Sequence, residues 1–187
     1  KGDRFAIMLP NVLQYPIALF GALRAGLIVV NVNPLYVARE LEHQLHDAGA
    51  KAIVVLDNFA ATLQGVLPRV PVEHVITTGL GDLLGFPKGP LINFALRHIK
   101  KMVPAFKLPG AVRFRDALAQ GAGHSLPDVV LTHADTAFLQ YTGGTTGIAK
   151  GAVLTHGNMI ANMLQAAAWI GTERIKPGKE VIITALP

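Results

Sequence analysis

The sequence predicts an α/β protein with a largely parallel sheet and flanking helices, and three observations carry that prediction. Short, unbroken apolar runs such as Phe5-Ala6-Ile7-Met8-Leu9 and Ala52-Ile53-Val54-Val55-Leu56 recur along the chain. Strands buried on both faces read this way, whereas strands with one wet face alternate. Between the runs lie stretches of helical spacing, punctuated by Gly and Pro, and strand-helix alternation is the pattern of a parallel sheet covered on both faces. The composition agrees: 51% of the 187 residues are hydrophobic and 16% are charged, which excludes general disorder and suits one domain or part of a larger one.

Taken in order, the strand Phe5–Leu9 ends at Pro10-Asn11, and residues 13–25 place Tyr15, Leu19, Ala22 and Leu23 near helical spacing before Gly26 stops the helix. Leu27–Val30 is a second strand. Asn33-Pro34-Leu35-Tyr36 turns the chain into a helix over Arg39–Ala48, closed by Gly49. The strand Ala52–Leu56, a helical Asn58–Leu67 and the strand Val75–Thr78 follow. Further on, Ala137–Tyr141 and Gly151–Thr155 are strands, and Thr155 or Asn158 can cap a helix over Met159–Trp169. Trp169, with Met163 and Leu164 near it, is expected in the core. Val181–Pro187 reads as a last strand, and no internal repeat or low-complexity tract interrupts the pattern.

Lys1-Gly2-Asp3 runs straight into a strand pattern and the chain stops on another, so residues 1–187 read as a portion of a longer protein. No basic leader with an apolar segment opens it, and no apolar run is long enough to span a bilayer, so a soluble protein is expected. The absence of cysteine removes disulfides, thiolate metal sites and cysteine nucleophiles together. A net charge of +5 raises the question of nucleic acid. Its distribution answers no: Lys88, Arg97, Lys100, Lys101, Lys107, Arg113 and Arg115 fall within residues 83–115 without one acid, leaving 10 basic against 12 acidic residues elsewhere.

Several constellations have residue types that could carry chemistry. Gly79-Leu80-Gly81-Asp82-Leu83-Leu84-Gly85 follows a strand but fails as a dinucleotide fingerprint: its third glycine comes late, Pro87 and Pro90 stand where a helix should run, and no ribose-binding acid lies between Asp82 and Asp116. It reads as a loop entering an insertion. Residues 88–107 can form a basic amphipathic helix with Leu91, Ile92, Leu96, Ile99, Met102 and Val103 on one stripe. Such a helix either packs its stripe on the domain or lies on an anionic membrane surface. His43 and His46 sit one turn apart without a third ligand placed by spacing, so solvated helix surface is the better reading and no metal residues are assigned. His156 reads as structural, and no Ser/His/Asp arrangement emerges.

The stretch with chemical content is Tyr141-Thr142-Gly143-Gly144-Thr145-Thr146-Gly147-Ile148-Ala149-Lys150-Gly151. Glycines at 143, 144 and 147 remove the Cβ atoms that would bar left-handed backbone and close approach of a ligand. Successive N–H groups can then face one concavity, Thr142, Thr145 and Thr146 can add hydroxyl donors, and Lys150 supplies a compact cation. The plain alternative is a glycine-rich hairpin whose threonines satisfy their own backbone. Three Gly, three Thr and a following Lys between two apolar runs favour phosphate binding. A Walker A loop is excluded, because Lys150 stands apart from Gly147 and is followed by glycine.

This stretch resembles the phosphate-binding signature of the acyl-adenylate-forming enzymes. Pro10-Asn11, Asn31-Val32-Asn33-Pro34-Leu35-Tyr36, Arg39-Glu40-Leu41 and Leu154-Thr155-His156-Gly157-Asn158 bring it nearest to the bacterial long-chain fatty-acyl-CoA synthetases. The resemblance covers essentially the whole chain, with residues 80–115 least typical. Many members have serine where Gly143 stands and proline where Ala149 stands; both changes keep the backbone nest. The resemblance implies that residues 1–187 are part of the large N-terminal, AMP-binding domain, with the C-terminal domain absent. It implies ATP, Mg2+ and coenzyme A as reactants and a long-chain fatty acid as substrate. It also implies nucleotide contacts from Tyr141, Thr142, Gly143, Gly144, Thr145, Thr146, Gly147, Lys150 and Gly151. No catalytic residue is assigned, because the family's metal-binding acid, ribose aspartate, adenine pocket and C-terminal lysine fall beyond residue 187, so this portion alone is expected to be inactive. A cytoplasmic location, peripheral contact with the inner face of a membrane through residues 88–107, and a homodimer are compatible with it. The alternatives are an adenylate-forming ligase for another carboxylate, and a noncatalytic nucleotide- or lipid-binding module.

Overall fold

β1 (Arg4–Met8) is paired in parallel on both sides, with β2 (Ile28–Asn31) and with β3 (Ala50–Leu56). Successive side chains of a strand point to opposite faces. Ala6 and Met8 therefore join Val30, Ile53 and Val55 in one apolar layer, while Phe5 and Ile7 join Val29, Val54 and Leu56 in another. Both layers are dry, which is why these strands are apolar at every position rather than at alternate ones.

In the computed structural model, residues 1–142, 149–171 and 178–179 are described. Outward from β3 lie β4 (His74–Thr78) and the two-residue β5 (Val112–Arg113), both parallel. Outward from β2 lie β6 (Thr136–Thr142), parallel, and β7 (Lys150–Thr155), antiparallel to β6. The order is thus β5-β4-β3-β1-β2-β6-β7. Helices α1 (Gln14–Arg24) and α5 (Phe114–Gly121) cover one face; α2 (Ala38–Ala48) and α3 (Ala60–Val66) cover the other. The remaining α-helices among the described residues are α4 (Lys88–Phe94) and α6 (His156–Ile170).

Local sequence explains the best-formed helix. In α2, Leu41, Leu45 and Ala48 lie on one face and are buried, and the Glu40 carboxylate turns back to accept the Val37 N–H at 3.1 Å. Gly49 closes the helix in left-handed backbone, φ 60°, and a Cβ there would stand 2.8 Å from Arg4 Nη2. Arg4 needs that space: its Nε donates to the Ala48 carbonyl at 3.0 Å, placing a cation at the negative end of α2.

Six expected strands appear within a residue or two of their sequence positions. Residues 79–85 form the expected loop, not a nucleotide turn: Asp82 Oδ2 accepts the Gly79 N–H at 2.8 Å, and Gly81 and Gly89 pack backbone to backbone, since a Cβ on either would lie 2.4 Å from the other's carbonyl oxygen.

The structure corrects two expectations and adds two elements. Residues 88–107 are not one helix: α4 passes into a π-helical turn at Ala95–Ile99, Lys101 adopts φ 51°, and no helix follows until α5. Its stripe divides, with Ile92, Leu96 and Val103 partly covered and Leu91, Ile99 and Met102 exposed. Trp169 is not in the core of the described residues but 92% exposed, and Met163 and Leu164 are exposed with it, because among the described residues nothing covers α6 beyond its first turns. β5 and α5 were not expected: two residues are too short a run to read as a strand, although Phe114, Ala117 and Leu118 have helical spacing. The strand expected at Val181–Pro187 lies outside the described residues. No helix among the described residues is long and apolar enough to cross a membrane.

Leu45 is fully buried between α2 and the sheet. Leu45→Ala is expected to cost about 2–5 kcal/mol, read as a lower midpoint in urea unfolding.

Candidate functional site

The Gly/Thr-rich stretch joins β6 to β7. The hairpin register sets Gln140 opposite Ala152, Tyr141 opposite Gly151 and Thr142 opposite Lys150, so the two last-named residues face each other at the mouth of the loop. Thr142 and Lys150 are exposed. Gly151 has a visible steric reason: a Cβ there would lie 3.0 Å from the Tyr141 ring that crosses it. Gly143, Gly144, Thr145, Thr146 and Gly147 lie outside the described residues. The structure thus brings together Tyr141, Thr142, Lys150 and Gly151 at the loop's two ends, and joins them by two strands rather than by a strand and a helix.

The strand that enters the loop is held from both faces of the sheet. On the α1 side, Gln140 Oε1 accepts from Asn31 Nδ2 at 3.0 Å, and Asn31 Oδ1 accepts from Tyr15 Oη at 2.9 Å. On the α2 side, Tyr141 Oη donates to Asp47 Oδ2 at 2.5 Å. From α2 as well, Gln44 Nε2 donates to the Asn31 carbonyl at 2.8 Å. Burial and the Asp47 carboxylate both push the Tyr141 phenol well above its ordinary range, since a phenolate beside a carboxylate is doubly disfavoured. The strand leaving the loop ends at a built corner. Thr155 Oγ1 accepts the Asn158 N–H at 3.1 Å and Asn158 Oδ1 accepts the Thr155 N–H at 3.0 Å, a reciprocal cap that starts α6 at His156, earlier than the spacing of its apolar residues suggested.

Beside the hairpin lies a cleft of about 510 Å3, lined by Ile7, Leu9, Tyr15, Asn31, Gln140 and Tyr141 among others. It opens at the carboxyl ends of β1, β2 and β6. The chain leaves β1 for α1 on one face and β2 for α2 on the other, so the cleft marks a topological switch point, where open α/β sheets take their ligands. Of the other sequence candidates, His43 and His46 both lie on α2; no group of three or more His, Cys, Asp or Glu converges among the described residues.

Comparison with known proteins agrees with this geometry. The AMP-binding enzyme family matches residues 1–187. The chain belongs to that family. It is 58% identical over 187 residues to a long-chain-fatty-acid–CoA ligase of Escherichia coli O157:H7, covering 100% of this chain and 33% of the relative. It is 38% identical over 189 residues to the ligase of the same description from Bacillus subtilis strain 168, again covering 100% of this chain and 33% of the relative. The chain therefore spans about a third of the length of the curated relatives it matches. Among solved structures, a long-chain-fatty-acid-CoA ligase from Archaeoglobus fulgidus superposes with a TM-score of 0.61 at 27% identity, over 89% of this chain and 28% of that one. A protein described as a putative long-chain-fatty-acid CoA ligase from Rhodopseudomonas palustris gives a TM-score of 0.65 at 22% identity, over 91% of this chain and 36% of that one, and shows the shared fold.

Around the hairpin of this family member, sequence reasoning missed Asn31, Gln140, Tyr15, Gln44 and Asp47. Asn31 and Gln140 did carry a signal: each is a lone amide in a run of strand-forming residues, where an unpaired polar group would be costly. Asp47 carried none, because helix spacing cannot say which strand a surface carboxylate reaches.

Two outcomes are expected. Asp47→Asn should bring the Tyr141 phenol down towards the free value of about 10, read by ultraviolet titration against the parent. The folded-state value is raised, so this tie contributes fully below the free-phenol value and is lost as the pH climbs through the raised one. Thr155→Ala should lower stability by about 1 kcal/mol in urea unfolding, and serine there should restore it.

Proposed function

We propose that the protein containing these residues is an ATP-dependent long-chain fatty-acid–CoA ligase, and that residues 1–187 are part of its N-terminal, AMP-binding domain. One observation carries the reading to the site: the β6–β7 register sets Lys150 across from Thr142 at the mouth of the Gly/Thr loop. The identity to long-chain-fatty-acid–CoA ligases across the full chain supports the substrate class.

In the first half-reaction a fatty carboxylate oxygen attacks the α-phosphorus of ATP and pyrophosphate departs with the bond's electron pair. In the second, the coenzyme A thiol loses its proton, attacks the acyl carbon and expels AMP. Negative charge gathers on the departing pyrophosphate in the first step, so donors fixed there lower the barrier more than they stabilise bound ATP. We assign Thr142, Gly143, Gly144, Thr145, Thr146 and Gly147 to the β- and γ-phosphates, with Lys150 steadying the same end of the nucleotide. Tyr141 and Gly151 hold the stem, the ring of one lying over the other. Anchoring of Gln140 and Tyr141 from opposite faces holds that stem in place. Mg2+ enters as the companion of ATP; among the described residues no acidic or imidazole set converges to hold it, so no step is assigned to a protein-bound ion.

We also propose peripheral contact with an anionic membrane through residues 88–107, where the stretch 83–115 carries 7 basic residues and no acid. A homodimer is checked by light scattering on the full-length protein.

Pyrophosphate release by the full-length protein with ATP, Mg2+ and palmitate tests the ligase reading. Lys150→Ala is expected to lower the rate by about 10²-fold. Carboxylates of graded length test the substrate, and preference for a short or aromatic acid would replace it with another adenylate-forming ligase. ATP binding without pyrophosphate release would leave a binding module. For the membrane, Lys100→Glu with Lys101→Glu should abolish cosedimentation with anionic vesicles, and unchanged cosedimentation would remove that part of the proposal.

A further inference from the structure

At the other end of the sheet's ligand-facing edge lies a second cleft, of about 420 Å3, at the carboxyl ends of β3, β4 and β5. Asn58, Asn93, Phe94, Arg97, His98 and Arg113 line it, over Asp57. The strands β1 and β2 stand between this cleft and the β6–β7 hairpin, so the two are separate sites.

The charges in it are layered. Arg113 Nη1 donates to both Asp57 oxygens at 2.8 and 3.1 Å and to Thr77 Oγ1 at 3.1 Å, while its Nη2 reaches Asp82 Oδ2 at 3.1 Å. Arg97 adds Nη2 at 3.3 Å, a long contact. The Asp57 and Asp82 side chains are 6% and 10% exposed, against 51% for Arg97 and 41% for Arg113. Carboxylates form the floor and guanidinium groups the mouth, so the side facing solvent is cationic. A planar guanidinium is the group suited to a phosphate.

The segment of residues 86–102, which supplies Asn93, Phe94, Arg97 and His98 to the cleft, has the other half of an interfacial surface. Phe86, Leu91, Phe94, Ile99 and Met102 are all exposed, Phe86 by 92%, and Lys88, Lys100 and Lys101 stand among them without an acid. Exposed large apolar residues interleaved with cations suit the boundary between headgroups and acyl chains, whereas a soluble anion would have no use for them. The backbone at the rim is off regular geometry, with the π-helical turn Ala95–Ile99 and Lys101 at φ 51°, departures that persist where the surroundings hold them and gather at functional sites.

We propose that this cleft receives the phosphate headgroup of an anionic phospholipid, held by Arg97 at its mouth, while Phe86, Leu91, Ile99 and Met102 enter the interface beside it. The inference rests on the peripheral membrane contact proposed above and gives it an address: a discrete headgroup seat on the β3–β5 side of the sheet.

The test is cosedimentation of the full-length protein with vesicles of phosphatidylcholine, alone or mixed with phosphatidylglycerol. Three variants are compared with the parent: Arg97→Gln, Arg97→Lys, and Lys100→Glu with Lys101→Glu. Binding to the mixed vesicles, a loss of roughly fivefold or more in Arg97→Gln, and retention in Arg97→Lys are expected, since one cation near the surface is worth about that factor. Vesicle-free ligase activity and thermal midpoint should not change in Arg97→Gln. If Arg97→Gln binds as the parent does while the double lysine variant fails, the headgroup seat is overturned and the general surface contact stands. If the double variant also binds, or the parent prefers neither vesicle, both readings fall. Loss in both Arg97 variants together with a lowered thermal midpoint assigns Arg97 to the fold and overturns the seat as well.

Discussion

Everything in this chain hangs on the double parallel pairing of one five-residue strand. β1 is hydrogen-bonded to β2 and β3 and packed on both faces, so its side chains serve two cores at once. Because it is both the first strand and the central one, the chain must leave it in one direction to make β2 and return across it to make β3. That crossing creates the cleft at the carboxyl ends of β1 and β2, beside which the β6–β7 hairpin is hung. Placement of the site is thus a consequence of strand order, before any functional side chain is considered.

The fold was legible where burial is two-sided. Runs such as Ala52–Leu56 have no competing explanation in a chain of this size, and their ends are marked by residues with mechanical reasons to be there, as Gly49 with its left-handed backbone against Arg4 shows. Legibility failed in residues 86–121. A helical stripe drawn through Leu91, Ile99 and Met102 assumed uninterrupted α-geometry, and the π-helical turn rotates everything after Ala95 off that stripe. β5 failed for length alone, and Trp169 because apolarity says that a side chain would gain from cover without saying that cover is supplied within these residues.

At the candidate site, composition suggested a ligand class, and connectivity stayed hidden. Glycine, threonine and lysine in Tyr141–Gly151 pointed to an anion because few other arrangements need all three. The groups that hold the stem, Tyr15, Asn31 and Asp47, come from α1, β2 and α2, and their meeting depends on register across strands that no linear pattern encodes. The layered Asp57, Arg97 and Arg113 cluster shows the same limit: its members are 40 and 56 positions apart in pairs, joined only when β3, β4 and β5 lie side by side.

The two margins of the sheet are unlike. At one, β5 offers two residues, too few to template a neighbour; at the other, β7 runs for six, and among the described residues it pairs only with β6. Exposed strand margins invite backbone pairing, and a very short one is the simplest defence. A strand added to this unit, from the same polypeptide or another, is therefore favoured on the flank that carries the β6–β7 hairpin over the flank that carries the cationic cleft.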